Sequence, residues 1–228
     1  MSTRRRDRWD YAFLLGEYAL LALLVGIILL PFLYALSVSV RPPSEIYGPP
    51  TLIPEAPTLE PWRLAFEQLG GDLVNSLITA TGTAVISLAI TIPGAYAFAR
   101  TDFPGKKWAF YFIVLALLFP YVILILPIQS MWYELELYNT IPGLWIAYQA
   151  FVTPFAVWIL RDFFQKLPAN IEEAAQVYGC TQFTAFLRVI LPLSWPAVAS
   201  VGFLAFLIGW NDFLFANMLV IETGPQPA

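Results

Sequence analysis

Hydrophobic positions in this chain are gathered into five long runs that contain no Asp, Glu, Lys or Arg. A helix of about 20 apolar residues crosses the ~30 Å hydrocarbon core of a bilayer, so each run is long enough to span it. Helices also satisfy their backbone hydrogen bonds internally, as lipid requires. The pattern predicts an all-α, polytopic membrane protein whose spans cover residues 18–40, 73–99, 108–133, 137–160 and 189–211.

Six prolines lie within the first four of these runs. Proline removes a backbone donor and bends a helix, so each should mark a kink. Two interpretations explain the prolines: they are tolerated kinks in a packed bundle, or they mark broken helices that line a moving, hydrated pathway. Either interpretation fits a transporter better than a rigid anchor, and the residues concerned are Pro31, Pro93, Pro120, Pro127, Pro142 and Pro154.

Composition supports a membrane protein and removes several kinds of chemistry. The 228 residues are 59% hydrophobic and 12% charged, whereas soluble domains are roughly 45–50% apolar and about 25% charged. The chain has no histidine and one cysteine, which excludes His-based triads and the usual zinc ligand sets. A net charge of −4 offers no basic surface to nucleic acid. We expect no catalytic site, no metal site and no cofactor bound by this chain.

The basic residues predict the orientation of the spans. With residues 1–17 in the cytoplasm, ten of the 12 lysines and arginines lie inside, and only Arg41 and Arg63 lie outside. Such an excess marks the cytoplasmic side. Residues 41–72 then form an external, proline-rich segment, in which residues 60–69 add a short surface helix.

The longest cytoplasmic connection, residues 161–188, predicts a short helix, a turn and a second helix. Asn170 with Glu173 three residues later is typical of a capped helix start. Gly179 stands where a helix C-terminal turn needs φ > 0. Thr181 can then cap the helix that continues into the last run.

The first of these helices, residues 170–178, has an apolar stripe and a polar side. The stripe has helical spacing and is rich in small residues. A helix of this kind lies flat on lipid headgroups or docks into a groove of a partner protein. The stripe consists of Ile171, Ala174, Ala175 and Tyr178, and the polar side of Glu172, Glu173 and Gln176.

The spacing in this connection resembles the EAA motif in the permease subunits of ABC importers. That motif reads Glu-Ala-Ala, three residues, Gly, nine residues, Ile, any residue, Leu-Pro. The same spacing here has Glu173-Ala174-Ala175, Gly179, Val189 and Leu191-Pro192, so valine replaces isoleucine. Other stretches are similar to the maltose-type carbohydrate branch, namely residues 96–100, 103–107, 139–140, 153–156 and 210–213. The resemblance implies a type I ABC importer permease fold (MetI-like), with its core at residues 73–228.

The same resemblance implies partners and residue roles. The chain would form half of a sugar pathway in the plasma membrane of a prokaryote, with a second homologous permease, two ATPase subunits that bind ATP and Mg²⁺, and an extracytoplasmic sugar-binding protein. The helix at residues 170–178 would couple it to the ATPase. The expected coupling residues are Glu172, Glu173, Ala174, Ala175 and Gly179, and the candidates for the substrate pathway are Tyr121, Gln129, Tyr148, Gln149 and Asn211.

Other readings of the sequence stay open. The solute of such a permease could instead be a sugar phosphate or a polyamine. An intramembrane enzyme would need paired catalytic groups within the bilayer, and the charge-free runs offer none. The resemblance implies six core helices, whereas this chain has five runs; we expect truncation before the sixth, and a natural five-span subunit is the alternative.

Overall fold

The computed structural model describes residues 8–46, 53–54 and 56–220, and the regular elements in these ranges are helical. The predicted all-α fold is confirmed. The parts of the predicted terminal and proline-rich segments at residues 1–7, 47–52, 55 and 221–228 lie outside the described residues. The helices are α1 (Arg8–Ser39), α2 (Pro43–Ile46), α3 (Glu60–Arg100), α4 (Lys106–Leu115), α5 (Ile125–Glu134), α6 (Ile141–Lys166), α7 (Ala169–Val177), α8 (Gln182–Ala185), α9 (Leu191–Leu193), α10 (Trp195–Asn211) and α11 (Leu214–Leu219).

Three helical stretches are each long and apolar enough to cross a bilayer: Leu14–Ser39, Glu60–Arg100 and Ile141–Lys166. Two more crossings arise only if each of two bent helix pairs is counted as one span. The predicted runs at 108–133 and 189–211 correspond to these pairs. Each of these two runs is a bent pair of helices rather than one continuous helix.

The first bent pair turns by 97° between Leu118 and Tyr121. Phe119 has an extended backbone, with ψ 128°, because the residue before a proline is disfavoured in the helical region. Pro120 therefore ends one arm, which finishes in a 3₁₀ turn, and a second 3₁₀ turn leads into α5.

The other prolines of the runs behave differently from Pro120. Pro31, Pro93 and Pro154 lie inside continuous helices. Pro142 lies in the first turn of α6, where its missing N–H breaks no helical bond.

Two predicted boundaries also need correction. The short helix at residues 60–69 is not separate, because α3 continues unbroken from Glu60 to Arg100. The helix in the predicted span 137–160 begins four residues later than predicted, at Ile141. Thr140 is its N-cap, and the Thr140 hydroxyl accepts the N–H of Gly143 at 3.1 Å. The helix also continues past residue 160 to Lys166.

The chain divides by its contacts into two units, Met1–Gly71 and Asp72–Ala228. In the first unit, the guanidinium of Arg41 is buried and donates to the Ser37 hydroxyl at 3.2 Å. The N–H of Thr58 donates to the Val40 carbonyl at 2.8 Å, which fixes the chain after α1. The large apolar side chains of α1 are exposed from Leu15 to Leu36, as suits a helix surrounded by lipid or by other apolar helices.

The second unit is organised around α6, which contributes residues to two apolar clusters. The N-terminal half of α6 packs in the first cluster, and the C-terminal half packs in the second cluster. The first cluster comprises Ile125, Trp132, Leu144, Ala147, Tyr148, Val152, Ala205, Phe215 and Leu219. The second cluster comprises Ala95, Ala156, Leu160, Phe164, Phe186, Ile190, Val198 and Val201.

Small residues bring α3 and α10 close together. An ideal Cβ on Gly209 would lie 3.0 Å from the Cα of Ala80 and 3.2 Å from the side chain of Thr83. Close contacts of this kind drive helix association in lipid. The hydroxyl of Thr83 donates to the Thr79 carbonyl at 2.8 Å, so its hydrogen-bond donor is satisfied although it is buried at the interface.

We expect Gly209→Leu to separate α3 from α10, because the backbone of Ala80 cannot move out of the way of a larger side chain. Overpacking of this kind costs about 1–3 kcal/mol, and each kcal/mol lowers the melting temperature by roughly 2–4 °C. Thermal unfolding of the detergent-purified protein measures the change. Gly94→Leu is the control, since nothing lies within 4 Å of its Cβ position. Equal melting temperatures for the two variants would contradict the close approach.

Candidate functional site: the segment between α6 and α10

The helix α7 begins where a proline stops α6. Leu167 is extended, with ψ 133°, as the residue before a proline favours, and Pro168 is the N-cap of α7. The helix therefore begins at Ala169, one residue earlier than predicted, and Asn170 is its second residue. No side-chain cap forms at this end, so the predicted capping by Asn170 and Glu173 is wrong.

The C-terminal turn of α7 agrees with the prediction. Gly179 has φ +90°, and its N–H donates to the Gln176 carbonyl at 2.9 Å. The N–H of Cys180 donates to the Ala175 carbonyl at 3.1 Å, which completes a Schellman motif. The hydroxyl of Thr181 accepts a backbone N–H from the first turn of α8. The predicted glycine turn and threonine cap are confirmed.

The predicted apolar stripe of α7 divides between two faces. Ile171 packs against the second cluster, and Ala175 is half-buried. Ala174 is exposed, and Tyr178 is 90% exposed because it lies past the last helical residue. We call the exposed side the outer face of α7; its members are Glu173, Ala174, Val177 and Tyr178.

Glu172 lies on the opposite side from this outer face, and its predicted position on an exposed polar side is wrong. Its side chain is 9% exposed. The Tyr96 hydroxyl donates to Oε1 of Glu172, and Nε of Arg100 lies 3.7 Å from Oε2. A buried carboxylate needs such partners, because burial removes its hydration. Sequence reasoning missed this contact; the available signal was a tyrosine and an arginine four residues apart at the end of a span.

Arg100 also binds the chain just before α7. Its guanidinium donates to the Leu167 carbonyl at 2.6 Å, which lies at the end of α6 where carbonyls have no partner within the helix. Arg100 is in the last turn of α3 and Glu172 in the first turn of α7. Both positions suit the sign of the local helix dipole. One arginine thus joins the ends of three helices.

The last part of the predicted motif coincides with a distorted turn. Val189 lies in the π-helical turn Phe186–Ile190. Pro192 follows it and lacks the N–H that would bond the carbonyl four residues earlier, which favours the wider turn. The Ser194 hydroxyl donates to the Ile190 carbonyl at 2.7 Å, where the chain bends by 75° into α10.

Among the candidates for the substrate pathway, only Tyr148 lines a cavity that the described residues form in the second unit. This cavity has a volume of about 760 Å³ and lies among α3, α6, α10 and α11. The Tyr148 hydroxyl donates to Oδ2 of Asp212 at 3.1 Å, and Asp212 also accepts the N–H of Phe215 at 2.9 Å. The other polar residues of its lining are Asp72, Asn75, Ser76, Thr79, Asn139, Trp210 and Asn217.

The structure places the remaining pathway candidates elsewhere. The side-chain amides of Gln129, Gln149 and Asn211 donate to backbone carbonyls. Tyr121 stacks on Phe215 with ring centroids 6.3 Å apart. Contact of any of these residues with a solute stays a prediction.

Comparison with known proteins adds family information to this geometry. Residues 89–224 match the family model described as "Binding-protein-dependent transport system inner membrane component". A trehalose transport system permease protein of Mycobacterium tuberculosis is 34% identical over 96% of this chain and 77% of its own length. A diacetylchitobiose uptake system permease protein of Streptomyces coelicolor is 33% identical over 90% of this chain and 68% of its own length.

The fold also has a counterpart among solved structures. A chain in the crystal structure of a bacterial ABC transporter involved in the import of the acidic polysaccharide alginate superposes with a TM-score of 0.83. The match covers 96% of this chain and 78% of that chain, at 22% sequence identity. At this identity the likeness establishes the fold.

We expect Gly179→Val to open the C-terminal turn of α7, because a β-branched residue is strained at φ > 0. Strain of this kind costs about 1–3 kcal/mol, so amide hydrogen exchange at residues 175–181 should accelerate roughly tenfold or more. Gly179→Asn is the matched control, since asparagine tolerates the left-handed region better. Equal protection in the Val variant and the original chain would show that the turn does not need this φ.

Proposed function

The chain belongs to the family of binding-protein-dependent transport system inner membrane components, and from this membership we propose that its solute is a sugar or an oligosaccharide. Membership makes the chain a multi-pass membrane protein and a permease subunit of a transporter rather than an enzyme. The relatives named for trehalose and diacetylchitobiose support the proposal of a sugar. So does an α-glucoside transport system permease protein of Rhizobium meliloti, which is 36% identical over 65% of this chain.

The proposed partners are a second permease of the same family, an extracytoplasmic binding protein and two ATPase subunits that bind ATP and Mg²⁺. The second permease would complete the pathway, of which this chain supplies half. The proposed orientation puts residues 1–17 and α7 in the cytoplasm. It is supported by the basic residues on the α7 side of the spans, among them Arg100, Lys106, Arg161 and Lys166, because cytoplasmic loops are enriched in such residues.

The outer face of α7 is the proposed contact with the ATPase. Val177 is 85% exposed and Tyr178 90% exposed, and exposed apolar side chains close together mark a surface that a partner covers. Glu173 lies beside them and offers a charge for a basic group of the partner. Ala174 presents a small side chain that permits close approach, whereas the predicted role of Ala175 in docking is limited by its half-buried position.

We expect cells without this chain to lose uptake of a di- or oligosaccharide and to keep uptake of putrescine. We expect this because two relatives are named as permeases for trehalose and for diacetylchitobiose. Uptake of radiolabelled trehalose, an α-glucoside, diacetylchitobiose, a sugar phosphate and putrescine measures the outcome, and expression of the full gene in trans controls for other effects of the deletion. Loss of sugar phosphate or putrescine uptake alone would refute the proposed solute class.

We expect Glu173→Lys and Tyr178→Ala each to reduce the amount of ATPase that copurifies with the permease. An exposed aromatic in an interface contributes strongly to binding, and a tenfold loss corresponds to about 1.4 kcal/mol. Asp102→Lys is the control, because Asp102 is fully exposed outside α7 and makes only a surface ion pair with Lys106. Undiminished ATPase in both α7 variants would rule out this face as the contact.

A further inference from the structure

Tyr96 and Arg100 lie four residues apart on α3, and both contact the buried carboxylate of Glu172 on α7. We infer that these three residues form a latch that makes α7 and the end of α3 move together, so that Tyr96 and Arg100 are positioning residues for coupling. The inference rests on the function proposed above. It adds that a movement of α7 is passed to the membrane-spanning helix α3.

The latch is costly to open. The side chains of Glu172 and Arg100 are 9% and 13% exposed, so separating them would leave two poorly hydrated charges without partners. A third contact, the hydrogen bond from Arg100 to the Leu167 carbonyl, holds the chain immediately before α7. Movement of α7 away from α3 would break both contacts of Glu172 at once.

The chain connections of α7 hold it less firmly than the latch does. At its start, the extended residues Leu167 and Pro168 separate it from α6. At its end, Gly179 and Cys180 separate it from the Thr181 cap of α8. Short non-helical joints of this kind are where helices hinge, since they absorb changes of φ and ψ. The covalent chain permits α7 to tilt at these joints, and the latch ties such a tilt to α3.

The ring of Tyr96 fixes the latch within the second cluster. It lies edge-on to Phe164 of α6 at 6.0 Å and 4.3 Å from Phe186 in the π-helical turn. The hydroxyl is thus held at a point where α3, α6, α7 and the π-helical turn meet. Tyr96→Phe would keep this packing and remove the hydroxyl with its hydrogen bonds to Glu172 and Gln182, so Glu172→Gln is tested beside it.

Between residue 72 and Arg100, α3 can carry a displacement from end to end. It is unbroken over this stretch, even at Pro93, whereas the neighbouring crossings bend by 97° and 75°. Its far end contributes Asp72 and Asn75 to the cavity of about 760 Å³. A shift of α7 that pulls on Arg100 therefore reaches the cavity through one rigid element.

The test uses the complete transporter, reconstituted in liposomes with its ATPase, partner permease and binding protein. ATP hydrolysed and labelled sugar imported are measured together. We expect Tyr96→Phe, Glu172→Gln and Arg100→Gln to keep the ATPase bound and to raise the ATP consumed per sugar about fivefold or more, the lower end of typical coupling effects. Arg100→Lys keeps the charge and should recover most of the coupling that Arg100→Gln loses.

Two controls separate the latch from general damage. Tyr111→Phe and Glu67→Gln make the same chemical changes at exposed positions outside it, and both should leave the ratio unchanged. The double variant Tyr96→Phe with Glu172→Gln should have a smaller effect than the sum of the two single effects, because both residues belong to one network of contacts.

Each result bears on a defined claim. A normal ATP-to-sugar ratio in Tyr96→Phe and Glu172→Gln overturns the latch, and so does loss of bound ATPase in these two variants, which would indicate a merely structural role. Additive effects in the double variant overturn it as well. Absence of sugar import by the unaltered transporter would instead refute the proposed function, and the latch with it.

Discussion

Hydrocarbon offers no hydrogen-bond partner to the backbone, and the rest of this structure depends on that constraint. The continuous helices α3 and α6 satisfy it within themselves except where Pro93 and Pro154 lack an N–H. Where the helical path is interrupted, local groups replace the missing bonds: the N–H of Ile123 donates to the Pro120 carbonyl at 3.0 Å, and the Ser194 hydroxyl donates to the Ile190 carbonyl at 2.7 Å. Charged side chains follow the same rule, since Glu172 is buried only together with Arg100 and Tyr96.

The two sides of α7 illustrate how a short helix can be both fixed and available. Its inner side is held by an ion pair, a tyrosine hydroxyl and the packing of Ile171 on the second cluster. Its outer side presents Val177 and Tyr178 almost fully exposed. The proposed coupling needs both properties, because a loosely held helix would not pass a displacement on to the helix behind it.

Features governed by local signals could be predicted from the sequence, and features governed by distant contacts could not. The apolar runs, the φ > 0 turn at Gly179 and the cap at Thr181 each depend on a few neighbouring residues, and they were predicted. The burial of Glu172 depends on Tyr96, which is 76 residues away, so its place in an amphipathic pattern suggested exposure. Proline positions indicated kinks without distinguishing Pro93, which the helix absorbs, from Pro120, which ends it.

The 97° break at Pro120 also has a consequence for how this protein is made. At 1.5 Å per residue, each arm of the pair is about 20 Å long, shorter than the ~30 Å that a spanning helix must cover. Neither arm alone is a complete signal for insertion by the translocation machinery. The region must enter the bilayer with both arms together, or after α6 has emerged from the ribosome to shelter it, so the order of synthesis becomes part of the folding problem.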